Sequence, residues 1–237
     1  MKKEYNHKSS KVNFKNFILG GQDGIVNVLG LVLGVASATS DYRLVIIAGL
    51  VSLVAESISM GAVAYTSSKA AKDYYLSRLN EEAKEIKYQP EFEKKQIENI
   101  YQKKGFYGKL LKNIVNKITS NKKIWLETLM KEGHNLSPEE YNKPFNVATI
   151  VGLSTVIGSI IPILPFFFFD IKTSIFTSLI FSALVLFFVG ACKAKLSIVD
   201  WKKSGLELML IGILSAVLGY LVGLVLKIMF NLQGFIV

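Results

Sequence analysis

The sequence predicts an all-α membrane protein with five transmembrane helices and a helical domain inserted between the second and the third. Hydrophobic residues make up 51% of the chain and charged residues 19%, and the two classes occupy separate segments. Five apolar stretches reach the roughly 20 residues that a helix needs to cross a hydrocarbon core. Because no stretch alternates polar and apolar residues with period two, the spans are helices rather than barrel strands. The stretches are 17–39, 44–66, 145–169, 173–192 and 204–230.

Composition divides the chain into three parts. Residues 1–67 hold a polar N-terminal segment and two spans, 68–144 are polar, and 145–237 hold three spans. No Gly or Pro follows the second span until Pro90, so that helix is predicted to continue to this proline. Further helices are predicted at 91–104, 106–118 and 122–133, with Gly105 as a C-terminal stop and with Glu139 and Glu140 in a capping box.

The basic residues predict the orientation in the membrane. Most of the 28 Lys and Arg residues fall in the N-terminal segment, in 68–144 or in the 193–203 loop. By the positive-inside rule these segments are cytosolic, and five crossings place the C-terminus on the far side. The net charge of +10 therefore follows the cytosolic face of the membrane. We expect anionic lipid rather than nucleic acid as its partner, because no nucleic-acid-binding motif is present.

Two acidic residues lie inside predicted spans: Asp23 in the first and Glu56 in the second. A charge at membrane depth costs about 2.5 to 3.5 kcal/mol on insertion scales, and it persists mainly where it lines an ion or proton path. Met60 shares a helix face with Glu56 because the two are four residues apart. Helix length places Asp23 and Met60 at one level and Glu56 one turn deeper. Carboxylates with a thioether suit a divalent transition metal, and the carboxylates can also carry protons.

The polar middle segment also concentrates acidic residues at helical spacing. Such runs are commonly solvated faces with Glu–Lys pairing, and this interpretation competes with metal binding. The pairs that share a face are Glu82 with Glu85, Glu81 with Glu85, and Glu91 with Glu98, while Glu127, Met130 and His134 follow one another at steps of three and four.

Four stretches of the chain resemble the vacuolar iron transporter family, whose members move Fe²⁺, and in some cases Mn²⁺, out of the cytosol. The stretches are GGQDGIVNVLGLVLG, SISMGAVAYTSSKAAKDYY, WLETLMKEG and GSIIPILP, and the likeness spans nearly the whole chain. The resemblance implies a homodimer with the transport path at its interface. It also implies that the segment 68–144 is a cytosolic metal-binding domain.

The resemblance further implies roles for particular residues. Asp23 and Met60 match path ligands of the family, and Glu82 and Glu85 match its Glu-x-x-Glu pair. The remaining metal ligands are expected among Glu91, Glu93, Glu98, Met130, Glu132 and His134. The chain departs from the family pattern at Ser52, where a carboxylate is expected, at Leu129 and Gly133 in the middle segment, and at Asn13 and Asn16 before the first span.

These observations favour a transporter that exports a divalent metal, Fe²⁺ or Mn²⁺, in exchange for protons. Zn²⁺ is a further candidate substrate, and no prosthetic group is expected. A metal sensor or scaffold that transports nothing, or a proton-coupled antiporter for another cation, remains an alternative. An enzyme is disfavoured because the chain has two histidines, His7 and His134, and one cysteine, Cys192. The host membrane would be the plasma membrane in a prokaryote and a vacuole-like acidic store in a eukaryote.

Overall fold

A computed structural model describes residues 2–137, 143–194 and 199–231, with side chains described from Val12 onward. The predicted capping residues Glu139 and Glu140 lie outside this described part. Every regular element within it is helical. The helices are α1 (Lys2–Thr39), α2 (Tyr42–Tyr88), α3 (Pro90–Lys103), α4 (Gly108–Thr119), α5 (Lys122–Thr128), α6 (Pro144–Ile163), α7 (Ile171–Ala194) and α8 (Trp201–Met229), with a π-helical turn at Leu129–Gly133 and a 3₁₀ turn at Leu164–Phe167.

Five of these helices are long and apolar enough to cross a membrane, so the described residues contain as many candidate spans as the sequence predicts. They are Val12–Thr39, Tyr42–Tyr88, Pro144–Phe167, Ile171–Ala194 and Trp201–Met229. The chain forms two compact units. The membrane unit comprises Met1–Tyr65 and Phe145–Val237, and the insert unit comprises Thr66–Pro144. Helix α2 continues unbroken to Tyr88, as the absence of Gly and Pro predicts.

Within the membrane unit, α1 approaches α6 and α8 until backbones touch. A Cβ atom on Gly219 would lie 2.1 Å from the carbonyl oxygen of Gly30, and one on Gly158 would lie 2.1 Å from that of Gly21. No side chain fits at either distance, so only glycine permits these crossings. Above and below them, α1 buries Leu29 and Val32 in the apolar core. Helix α1 is thereby fixed on two sides.

Two prolines lie where α6 ends. Pro162 lies in its last turn, and Pro165 lies in the 3₁₀ turn that follows. Buried serines of α7 satisfy the carbonyls exposed by this change of helix type: Ser178 Oγ donates to the carbonyl of Pro162 at 2.7 Å and Ser174 Oγ to that of Pro165 at 3.1 Å. Serine hydroxyls are a common means of satisfying such carbonyls where no water is present.

The insert unit has its own apolar core, built where α3, α4 and α5 meet. Ile97, Val115 and Trp125 are buried there together with Ile86 of α2 and Leu129 of the π-helical turn. Gly105 turns the chain after α3 with a φ of 90°, a left-handed conformation that favours glycine. After α5 the helix widens into the π-helical turn, whose last bond joins the His134 amide to the carbonyl of Leu129 at 3.1 Å.

Candidate functional site

The membrane unit brings Asp23 and Glu56 together. The side-chain amide of Asn27 donates a hydrogen bond to Glu56 Oε1, and the Asp23 carboxyl interacts with both Glu56 and Asn27. The turn between α1 and α2 consists of Ser40 and Asp41. So short a turn sets Glu56 level with Ile25, midway between Asp23 and Asn27. Glu56 is therefore about half a turn deeper than Asp23, where the outer helix ends predicted one turn, and it accepts a hydrogen bond from Asn27, which lies one turn deeper than Asp23.

We call Asp23, Asn27 and Glu56 the membrane cluster. One of its carboxylate oxygens has no hydrogen-bond partner among the described residues. Glu56 Oε2 is buried and accepts no hydrogen bond from the residues that the structure describes. The apolar stretches 17–39 of α1 and 44–66 of α2 contain no Lys or Arg to neutralise the two carboxyls. Two carboxyls in contact can hold one proton or one cation between them. The cluster thus has the donor atoms and the electrostatic need for a small positive species.

Helix periodicity places two further candidates beside the membrane cluster. Ser52 and Met60 lie one turn before and one turn after Glu56, so all three share one face of α2. All three side chains are half-buried. Asn27 was not among the predicted site residues, although it lies four residues after Asp23 on the same helix face, which is a sufficient signal.

A second set of carboxylates converges in the insert unit. One carboxylate oxygen from each of Glu82, Glu85 and Glu93 lies within 4.8 Å of the other two. Glu82 and Glu85 lie one turn apart near the end of α2, and Glu93 lies in the first turn of α3. The break at Gln89 and Pro90 allows the two helix segments to bring these side chains together. We call these three residues the acidic cluster.

Two of the three glutamates in the acidic cluster are buried. Glu82 is 2% exposed and Glu93 is fully buried, while Glu85 is exposed. Gln96 Nε2 donates to Glu93 Oε1 at 2.9 Å, and His134 Nε2 lies 2.5 Å from Glu82 Oε1. The second oxygen of each buried glutamate is enclosed and has no hydrogen-bond partner among the described residues. Buried carboxylate oxygens of this kind are costly unless they are paired or bind a cation.

The electrostatics of the acidic cluster also favour the binding of a cation. Burial, together with the nearby charges of Glu82 and Glu85, raises the pKa of Glu93 to about 7. Without a cation, the folded protein therefore keeps one proton on the cluster near neutrality. A divalent cation could replace that proton, because hard oxygen ligands at this spacing suit such ions.

The other predicted metal residues lie in different environments. Within the described part of the chain, the group of mutually close carboxylates contains the three cluster glutamates alone. Met130 is buried in the π-helical turn, and Glu91 and Glu98 are exposed. The other three predicted glutamates form ion pairs, as is typical of a solvated helix face. The pairs are Glu81 with Arg78 at 2.7 Å, Glu127 with Lys123 at 3.9 Å, and Glu132 with Lys104.

Comparison with known proteins decides the family. The model of the VIT family matches residues 14–224. This chain belongs to the VIT family. It is similar to the vacuolar iron transporter of Plasmodium falciparum, with 32% identity over 94% of this chain and 85% of the relative. It is also similar to vacuolar iron transporter 1 of Tulipa gesneriana, with 27% identity over 92% and 88%.

A third VIT relative, vacuolar iron transporter 2 of Oryza sativa, is 31% identical over 76% of this chain and 74% of its own length. These names and the five apolar helices identify the chain as a membrane protein of a metal-transporter family. VIT family members are transporters and not enzymes, in agreement with the sequence analysis.

Proposed function

We propose that this protein exports Fe²⁺ from the cytosol in exchange for protons, with Mn²⁺ as a second substrate. The names of its relatives support iron as the cargo. The lysine distribution supports a multi-pass topology with the N-terminus and the insert unit in the cytosol. The transporter would work as a homodimer, in the plasma membrane of a prokaryote or in an acidic store of a eukaryote.

The observation that carries the proposal is the contact between Asp23 and Glu56 on two apolar helices. Two carboxyls without a neighbouring cation can alternate between a proton and a metal ion, which is the chemistry that an exchanger requires. Met60 adds a thioether one turn away, and such soft ligands favour Fe²⁺ over Mg²⁺ and Ca²⁺. Glu56 Oε2 accepts no hydrogen bond from the described residues, so its lone pairs are free to bind the passing ion.

The acidic cluster would collect the ion on the cytosolic side. It offers three carboxylates with two buried oxygens that lack partners. Oxygen ligands exchange rapidly on Fe²⁺ and Mn²⁺, so an ion held there could be released again to the transport path. Met130, half a turn before Glu132 in the π-helical turn, is a further proposed ligand in this unit.

The test is metal flux in proteoliposomes that contain the full chain. Wild-type protein should accumulate Fe²⁺ when a pH difference is imposed, and the Asp23→Asn variant should lose this uptake. Asp41→Asn is a matched control, because Asp41 caps α2 through the Arg43 amide at 2.8 Å and asparagine can replace it there. Undiminished uptake by the Asp23 variant would contradict the proposal.

The same experiment separates the alternatives. Metal binding without flux in the wild-type protein would indicate a sensor or scaffold. Flux that depends on the pH difference but does not include Fe²⁺, Mn²⁺ or Zn²⁺ would indicate an antiporter for another cation. Metal flux that is unaffected by the pH difference would contradict the exchange with protons but not the transport of metal.

A further inference from the structure

The environment of His134 is not explained by the ion pairs of the insert unit. One ring nitrogen, Nε2, lies 2.5 Å from Glu82 Oε1, and the other, Nδ1, lies 3.3 Å from Arg78 Nη2. The imidazole therefore connects an arginine to a buried glutamate of the acidic cluster. The π-helical turn places it there, since its final bond runs from the His134 amide to the carbonyl five residues earlier.

The chemistry of arginine fixes the state of this imidazole. A guanidinium has donors only, so Nδ1 must accept from Arg78 with its lone pair. The ring proton then resides on Nε2, which donates to Glu82 Oε1. Arg78 itself is anchored by Glu81, whose carboxylate lies 2.7 Å from Nη1. The order of donation is thus Arg78 to His134 to Glu82.

We propose that His134 is a positioning residue for the metal site and not a metal ligand, with Arg78 selecting its tautomer. This inference rests on the proposed function, because it requires that the acidic cluster binds metal. The hydrogen bond engages Glu82 Oε1 and leaves the buried Oε2, which lacks a partner, as the ligand atom. Gln96 engages Oε1 of Glu93 in the same way. Both buried glutamates are consequently oriented as monodentate ligands before an ion arrives.

Mn²⁺ binding to the full chain in detergent micelles tests the proposal. His134→Ala should weaken Mn²⁺ binding by about 10- to 100-fold, the usual effect of losing a hydrogen bond to a ligand. His134→Gln keeps a donor and an acceptor and should restore most of the affinity. The unfolding temperature of each metal-free variant shows whether that variant folds. If His134→Ala does not fold, the proposal is tested by comparing Mn²⁺ binding by the wild-type protein and by His134→Gln.

Arg78 provides the sharper measurement, because its charge and its hydrogen bond predict opposite results. If Arg78 acts only as a nearby positive charge, Arg78→Ala should strengthen Mn²⁺ binding, as we expect for the control Lys84→Ala on the same helix. If it selects the tautomer, Arg78→Ala should weaken binding. Combined with His134→Ala, it should then add less than a twofold further loss, since both act through one hydrogen-bonded chain.

Spin-echo spectroscopy of bound Mn²⁺ distinguishes positioning from ligation. A directly bound imidazole gives a strong nitrogen modulation, which the proposal expects to be absent. Such a signal, or unchanged Mn²⁺ affinity in His134→Ala, would overturn the proposal that His134 positions Glu82. It would leave the flux experiment above unaffected, so the failure of one proposal is distinguishable from the failure of the other.

Discussion

The membrane cluster and the acidic cluster both assemble carboxylates, but they differ in how those carboxylates are compensated. In the membrane cluster a single amide, that of Asn27, donates to Glu56, and the apolar stretches 17–39 and 44–66 contain no Lys or Arg. In the acidic cluster each buried glutamate has its own hydrogen-bond donor. His134 bonds to Glu82, and Arg78 in turn bonds to His134. The carboxylates of the membrane cluster therefore have fewer hydrogen-bond donors and positive charges around them than those of the acidic cluster.

This difference indicates a division of labour. A carboxyl pair without a permanent cation is neutralised only by the species that passes, so the membrane cluster suits transfer. Carboxylates whose orientation is fixed by hydrogen bonds lose less entropy when an ion binds, so the acidic cluster suits capture. Variants of the two clusters should therefore affect different measurements.

The largest effect is expected for Glu56→Gln. The change keeps the shape of the side chain and removes its charge. Loss of one charged partner at a buried site costs about 3 kcal/mol, which corresponds to roughly a 100-fold fall in rate. Fe²⁺ flux in proteoliposomes measures this fall, whereas Mn²⁺ bound by the detergent-solubilised protein should stay within twofold of wild type. Equal losses in both measurements would abolish the distinction between the clusters.

Glu82→Gln should show the reverse pattern. The variant loses a buried carboxylate oxygen of the acidic cluster, and Mn²⁺ affinity should fall by about tenfold or more, as for other losses near 1.4 kcal/mol. Flux should be reduced at low external metal and should recover at saturating metal, because the transfer step is intact. Glu127→Gln is the matched control, since Glu127 is exposed and paired only with Lys123, at 3.9 Å, among the described residues. A maximal rate that fails to recover would show that Glu82 also serves transfer.

The sequence predicted the helices better than the meeting points between them. Apolar length, Pro90 and Gly105 predicted the helix ends, because these are local signals. The Glu82–Glu85 pair follows from helical spacing alone. That Glu93 joins them does not, because it depends on how α3 reverses against α2, and this is decided by the packing of Ile97 with residues distant in the sequence.

The membrane cluster gives a second example. Its register could have been derived from the two-residue turn at Ser40 and Asp41, and Asn27 would then have been found. The tautomer of His134, in contrast, depends on a contact between residues 56 positions apart. No spacing rule predicts a contact of that kind, because the π-helical turn that creates it depends on tertiary packing.

The pH dependence of stability should sharpen the comparison further. Glu93 has a pKa of about 7 in the folded protein, and an unfolded glutamate has one of about 4.3. Between these values the folded state binds more protons, so the free energy of unfolding of the metal-free protein should fall as pH rises, by at most about 4 kcal/mol. Thermal unfolding between pH 5 and pH 8 measures this fall, and Glu93→Gln should flatten it. A slope that persists in the variant would assign it to other groups.

The smallest effect is expected for Glu132→Gln. Glu132 forms an ion pair with Lys104 at the protein surface, and such pairs contribute about 0 to 1 kcal/mol. Mn²⁺ affinity should change by less than twofold, and the unfolding temperature should change little. A loss similar to that of Glu82→Gln would mean that Glu132 leaves Lys104 to bind the ion. In that case Lys104→Ala should strengthen Mn²⁺ binding, because it would remove the cation that competes with the metal for the same carboxylate.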